Sequence, residues 1–123
     1  MLREIKSVRQ NEGEKKRRWF TDDYWDLYVW LEDSGEIYGF QLCYAKYHGE
    51  HALTWIRGQG TYHSKVDNRL PFAGDRSSPI LVADGFFDKS KVADLFRTDS
   101  REIEPGIRNF VLEKIAETDF KEE

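Results

Sequence analysis

The densest chemistry in the sequence is imidazole. His48-Gly49-Glu50-His51 places two histidines and a carboxylate within four residues, and His63 follows in the next candidate strand. Three imidazoles, with Asp84 or Glu50 as a further ligand, could hold zinc and leave one position open for water. Two features count against this. His48 sits in a proposed two-residue turn and would point away from the strand ladder. His51 falls on the core side of its strand, while His63 has no assigned side. Isolated histidines in turns are usually solvated. His48, His51, His63 and Asp84 are the metal candidates, but no cofactor is expected.

Other reactive groups carry less. Asp22, Asp23 and Asp26 could do acid–base work, and Asp26 lies mid-strand among Tyr24, Tyr28 and Trp30, where burial would raise its pKa. The preferred alternative is an exposed carboxylate, or one bonded to a tyrosine hydroxyl or to Arg17 or Arg18. Cys43, the one cysteine, has no base beside it in sequence, and no serine sits in a nucleophile elbow. No catalytic residue is assigned. Gly58-Gln59-Gly60 lacks the third glycine and the helix of a dinucleotide fingerprint. Lys15 to Phe20, KKRRWF, offers cations for phosphate and two aromatics for stacking. Asp22, Asp23 and Asp26 follow at once, so a charged edge strand guarded against aggregation is the favoured reading. Arg69 and Arg76, in the irregular stretch 67–79, are candidates for an anionic ligand.

The segment that must position most of these groups is Tyr24 to Ala45, read as a β-hairpin. The first arm is aromatic and β-branched, the second aromatic and apolar, and Asp33-Ser34-Gly35 supplies turn chemistry. Register follows from composition, because a one-residue slip turns every side chain to the other face. An even loop sets Trp25 against Tyr44, Leu27 against Leu42, Val29 against Phe40 and Leu31 against Tyr38, a continuous apolar wall. The opposite face then carries Tyr24, Asp26, Tyr28, Trp30, Gly39, Gln41 and Cys43. Trp30 lies across from Gly39, where the missing side chain leaves room for the indole. This face is the leading ligand or partner candidate, with Tyr28, Trp30 and Asp26 as its contact residues. A second packing layer is its ordinary alternative.

Further strands are expected at Arg17 to Phe20, Ala52 to Arg57, Thr61 to Val66 and Ile80 to Gly85, while Leu2 to Val8 is too brief to assign. A turn closed by Tyr47 and Glu50 would set Leu53 opposite Tyr44 and Trp55 opposite Leu42. Two helices close the chain. Asp88 caps the first, whose stripe is Val92, Leu95 and Phe96, with Phe87 and Val92 as a hydrophobic staple. Pro105 opens the second, whose stripe includes Lys114. The expected fold is α+β: an antiparallel β-meander of about four to six strands with two C-terminal helices packed on one face.

The chain has 123 residues, enough for one domain with an ordinary core, and residues 117–123 read as a frayed acidic tail. Aromatic content of 15% offsets a charged fraction of 34% and argues against disorder. Net charge is −4, yet residues 1–20 hold seven Lys/Arg against three Glu. No segment suits a signal peptide or a membrane span, so a cytoplasmic setting is expected. The reading that results is a small non-enzymatic binding or assembly module using an aromatic sheet face or an edge, with a second copy of the chain as a candidate partner. A metal-dependent enzyme and a single-stranded nucleic-acid binder are the alternatives, nucleic acid being the less expected partner.

The phrases RRWF (17–20), DLYVW (26–30), GFQLCY (39–44), ALTW (52–55) and PILVADG (79–85) occur in an order that resembles a family of short bacterial proteins without an assigned function. The resemblance implies a bacterial, cytoplasmic protein and transfers no site residue.

Overall fold

A computed structural model describes residues 1–10, 12–46, 49–67, 80–83 and 87–118. Seven strands run in chain order through one antiparallel sheet: β1 (Arg3–Ile5), β2 (Lys16–Thr21), β3 (Trp25–Leu31), β4 (Ile37–Tyr44), β5 (His51–Ile56), β6 (Gly60–Asp67) and β7 (Ile80–Ala83). Two helices follow, α1 (Lys89–Asp99) and α2 (Pro105–Glu117). The meander with two C-terminal helices is the architecture the sequence implied, and the unassigned N-terminal segment supplies β1. Among the described residues, no helix is long and apolar enough to cross a membrane.

The hairpin register holds from Trp25↔Tyr44 to Trp30↔Gly39 and then shifts, so that Leu31 faces Ile37 rather than Tyr38. The cause lies in the turn. Glu32 N–H donates to the Glu36 carbonyl and Gly35 N–H to the Glu32 carbonyl, leaving a three-residue loop with Gly35 at φ 94°. An odd loop alone would invert the faces. Tyr38 is the extra residue of a β-bulge that restores them. Gly39 is required for a different reason than the one expected: a Cβ there would stand 2.8 Å from the Trp55 carbonyl oxygen of the neighbouring strand. Leu53 faces Leu42 and Trp55 faces Phe40, two residues from the expected partners. Because the displacement is even, both side chains stay on the wall.

That wall is fully buried at Phe20, Trp25, Leu27, Val29, Phe40, Leu42 and Leu53, and the helices cover it with Val92, Phe96, Ile107, Val111 and Ile115. Leu95, expected inside, is 37% exposed, so α1 buries a narrower stripe of Val92 and Phe96. Asp88 caps α1 by accepting from Lys91 N–H at 3.2 Å, and Pro105 opens α2. Lys114 remains in its stripe because its ammonium lies 4.9 Å from the Trp55 ring centroid, with its stem along apolar surface.

Polar contacts at Asp99 and at Arg18 tie the layers together. Trp25 Nε1–H donates to Asp99 Oδ2 at 2.8 Å, and Leu2 N–H donates to the Asp99 carbonyl at 2.7 Å. Arg18 forms a bidentate pair with Glu4, both bonds 2.8 Å, and reaches Glu104 at 2.9 Å.

Two outcomes follow. Asp99→Ala leaves the buried indole N–H unsatisfied and should cost about 1–3 kcal/mol, read from the urea midpoint at constant m. The hydrogen bonds from Arg18 hold the Glu4 carboxyl below its ordinary value of 4.5. A carboxyl lowered in the folded state contributes stability in full above its unfolded value, and loses it as pH falls through the folded one. Arg18→Gln should therefore flatten the decline in stability between about pH 5 and pH 3, measured by denaturation at each pH.

Candidate functional site

β2 pairs with β3 on one side, and on the other side β1 reaches only Trp19 to Thr21, so the Lys16 to Arg18 end of the basic stretch lies at the edge of the sheet. The edge strand is β1, opposite Trp19 to Thr21. Beyond it, the Gln10 side chain takes the place of a strand: Arg17 N–H donates to Gln10 Oε1 at 2.9 Å, and Gln10 Nε2 donates to the Arg17 carbonyl at 2.7 Å. This pairing aligns side chains on the face that neither helix covers. Trp19 stands opposite Tyr28, which stands opposite Gln41, and Arg17 opposite Trp30, which stands opposite Gly39.

The three rings form a half-buried row. Trp19 and Tyr28 are near-parallel, 13° apart with centroids 6.0 Å apart, and Tyr28 and Trp30 follow at 6.4 Å and 31°. Further along, Gln41 pairs with Thr54 and Thr54 with Tyr62, a ring left 46% exposed. Tyr24, expected on this face, precedes β3 and turns to the other side, edge-on to Trp25 at 4.9 Å.

Asp26 does not stand ready as a base. Its Oδ1 accepts from Trp19 Nε1–H at 2.9 Å and from the Thr21 hydroxyl at 2.7 Å, and its Oδ2 pairs with the Lys46 ammonium at 3.2 Å. Among the described residues, neither a tyrosine nor an arginine is its partner. With both oxygens occupied, the carboxylate fixes the orientation of the Trp19 indole. Burial pushes the Tyr28 hydroxyl and the Cys43 thiol each up to about 12, with the nearby carboxylates adding to the shift. Both stay protonated at neutral pH, so the face offers rings and donors rather than a nucleophile.

Beside the row lies a cavity of about 290 Å³ walled by Ile5, Val8, Trp19 and Tyr28, with Arg9 and Arg17 on its rim. A second, of about 300 Å³, adjoins it over the sheet edge and shares Ile5, Val8 and Arg17, adding Lys6, Lys16 and Arg18. The sequence places Arg17 and Trp19 in the Lys15 to Phe20 stretch but does not by itself set Trp19 opposite Tyr28 or bring in Arg9. Extending the register through the Asp22-Asp23 bend, with Phe20 opposite Leu27, would have placed Trp19 and Arg17.

The structure also brings His51 and His63 together, at the opposite end of the core wall. Their rings stack 5.4 Å apart and within 9° of parallel, and both stack on Tyr44. His63 Nε2 lies 2.6 Å from the Tyr44 hydroxyl, and His51 Nδ1 lies 2.7 Å from the Gly49 carbonyl oxygen. A metal sits in the plane of each imidazole that binds it, and face-to-face rings do not converge on one point. Among the described residues, no group of three or more His, Cys, Asp or Glu is placed to hold a metal. His48, Arg69, Arg76 and Asp84 lie outside the described residues.

No family model matches the chain, and no curated protein or solved structure matches it either.

Cys43 is 7% exposed and its thiol is raised to about 12. It should react with a thiol reagent at pH 8 at least tenfold more slowly in the folded protein than in the unfolded chain, since the thiolate is the nucleophile. Equal rates in the two states would show that Cys43 is accessible and activated.

Proposed function

We propose that the chain is a non-enzymatic binding module and that the helix-free face of β2, β3 and β4 is its working surface. The observation that carries this reading is the Trp19–Tyr28–Trp30 row. A core wall already stands on the other face of the same strands, complete with its helices, so these rings exceed what the core requires. Asp26, Tyr28 and Cys43 support binding over catalysis, because each is bonded or held protonated. The edges are poor alternatives, since β1 has three residues and β7 four. A lone buried thiol and the lack of a membrane-length helix among the described residues fit a cytoplasmic setting.

The test separates working surface from packing layer. Trp25→Ala should cost about 3–5 kcal/mol as a core truncation. Trp30→Ser should cost much less and abolish whatever the face binds. Amide NMR titrations with a second copy of the chain, a peptide pool and an oligonucleotide read the site directly. Shifts centred on Trp19, Tyr28, Trp30 and Gln41 support the reading. Shifts confined to α1 and α2, or a Trp30→Ser cost equal to that of Trp25→Ala, overturn it.

A further inference from the structure

The cations around the aromatic row divide into two groups. Lys6, Lys15, Arg18 and Lys46 each pair with a carboxylate. Arg3, Arg9, Lys16 and Arg17 have no carboxylate partner among the described residues. By register Arg3 and Arg17 project on the face of the row, opposite Thr21 and Trp30, while Arg9 and Lys16 border the two adjoining cavities. A chain of net charge −4 has acids enough to neutralise these four, yet among the described residues none of them meets a carboxylate, and Arg17 donates instead to the Arg9 carbonyl at 2.8 Å beside the aromatic row. The acid in the second cavity, Glu4, is already committed to Arg18 and Lys6. On the face itself, Asp26 is matched by Lys46, and the one acid whose charge reaches Tyr28 and Cys43 besides Asp26 is Glu50.

Stacking surface flanked by unneutralised arginine is the chemistry that recognises a nucleobase joined to phosphate. The cations extend over the edge into a second cavity, which suits a run of phosphates better than a single one. Arg17 belongs to both cavities and stands opposite Trp30, so it joins the stacking surface to the basic edge. We propose that this face binds single-stranded nucleic acid, with bases on Trp19, Tyr28 and Trp30 and phosphates on Arg9, Lys16 and Arg17. The proposal rests on the reading of the face as the working surface and names its ligand.

The experiment is fluorescence anisotropy with a labelled mixed-sequence single-stranded oligonucleotide, its duplex, and heparin as a polyanion without bases. Single strands should bind more tightly than either control. With three phosphate contacts the log–log salt slope should be about −2. Trp30→Ala, which keeps every charge, and Arg9→Ala, at an exposed position, should each weaken binding about tenfold. Near-UV circular dichroism checks that each variant is folded, and Arg9→Ala keeps the test valid if Trp30→Ala is not. No binding at low salt, or heparin binding as tight as the oligonucleotide and indifferent to Trp30→Ala, overturns the proposal. If the oligonucleotide fails while another titrant still shifts the Trp19–Tyr28–Trp30 amides, the nucleic-acid ligand falls and the binding face stands. Oligonucleotide binding that neither variant weakens removes the face as well.

Discussion

One indole joins the sheet to its helices. Trp25 is completely buried, edge-on to Phe96 of α1 at 5.5 Å and tilted against Tyr44 at 6.3 Å, and its N–H has one partner, the Asp99 carboxylate. Asp99 is the last residue of α1, where a negative charge opposes the helix dipole by a few tenths to about 1 kcal/mol. The position is tolerated because the same residue satisfies the buried indole and, through its carbonyl, holds Leu2 at the sheet edge. α2 offsets the charge: Arg108 donates to the Arg97 carbonyl at 2.8 Å and to the Ser100 hydroxyl at 3.0 Å, bringing a cation to that helix end. Edge strand, central hairpin and both helices thus meet around one residue pair.

With that wall fixed, alternation assigns the other face. Every residue of β3 between those pointing at the helices must point away, and so Asp26, Tyr28 and Trp30 are delivered together. The bulge at Tyr38 makes this robust. It absorbs the odd loop beside Gly35 and leaves the pairing of Trp30 with Gly39 in phase with that of Trp25 with Tyr44. The uncovered face is a geometric consequence of how the core is closed.

This explains what could be read from the residues. The hairpin pairing from Trp25 to Trp30 was legible because six bulky side chains agree on one parity, and Asp88 and Pro105 mark helix starts by local chemistry. The loop itself was not legible, since an even loop and an odd loop with a bulge give the same faces. Nor was the offset between β4 and β5, where an even slip preserves burial and so leaves no trace in the pattern. On the site, Tyr28, Trp30 and Asp26 followed from the hairpin alone. Arg9 and the Gln10 bridge did not, because polar residues 6–15 carry no periodicity and their placement depends on one side-chain amide completing the ladder beside Arg17.

The fate of Asp26 shows why mid-strand burial of an acid is a poor sign of catalysis by itself. A carboxylate removed from water needs hydrogen bonds to both oxygens, and the nearest donors on a sheet are the opposed and diagonal neighbours on the adjoining strand. β2 supplies Thr21 and Trp19, and the turn after β4 supplies Lys46. Satisfying the acid in this way also holds an indole in place, since Trp19 can then swing only by breaking a charge-assisted bond. A ring held without freedom to lose gives up less entropy when something stacks on it, and that is the property a binding surface needs. The half-buried acid and the aromatic row are therefore one device, in which hydrogen bonds along the face pre-organise the rings beside them.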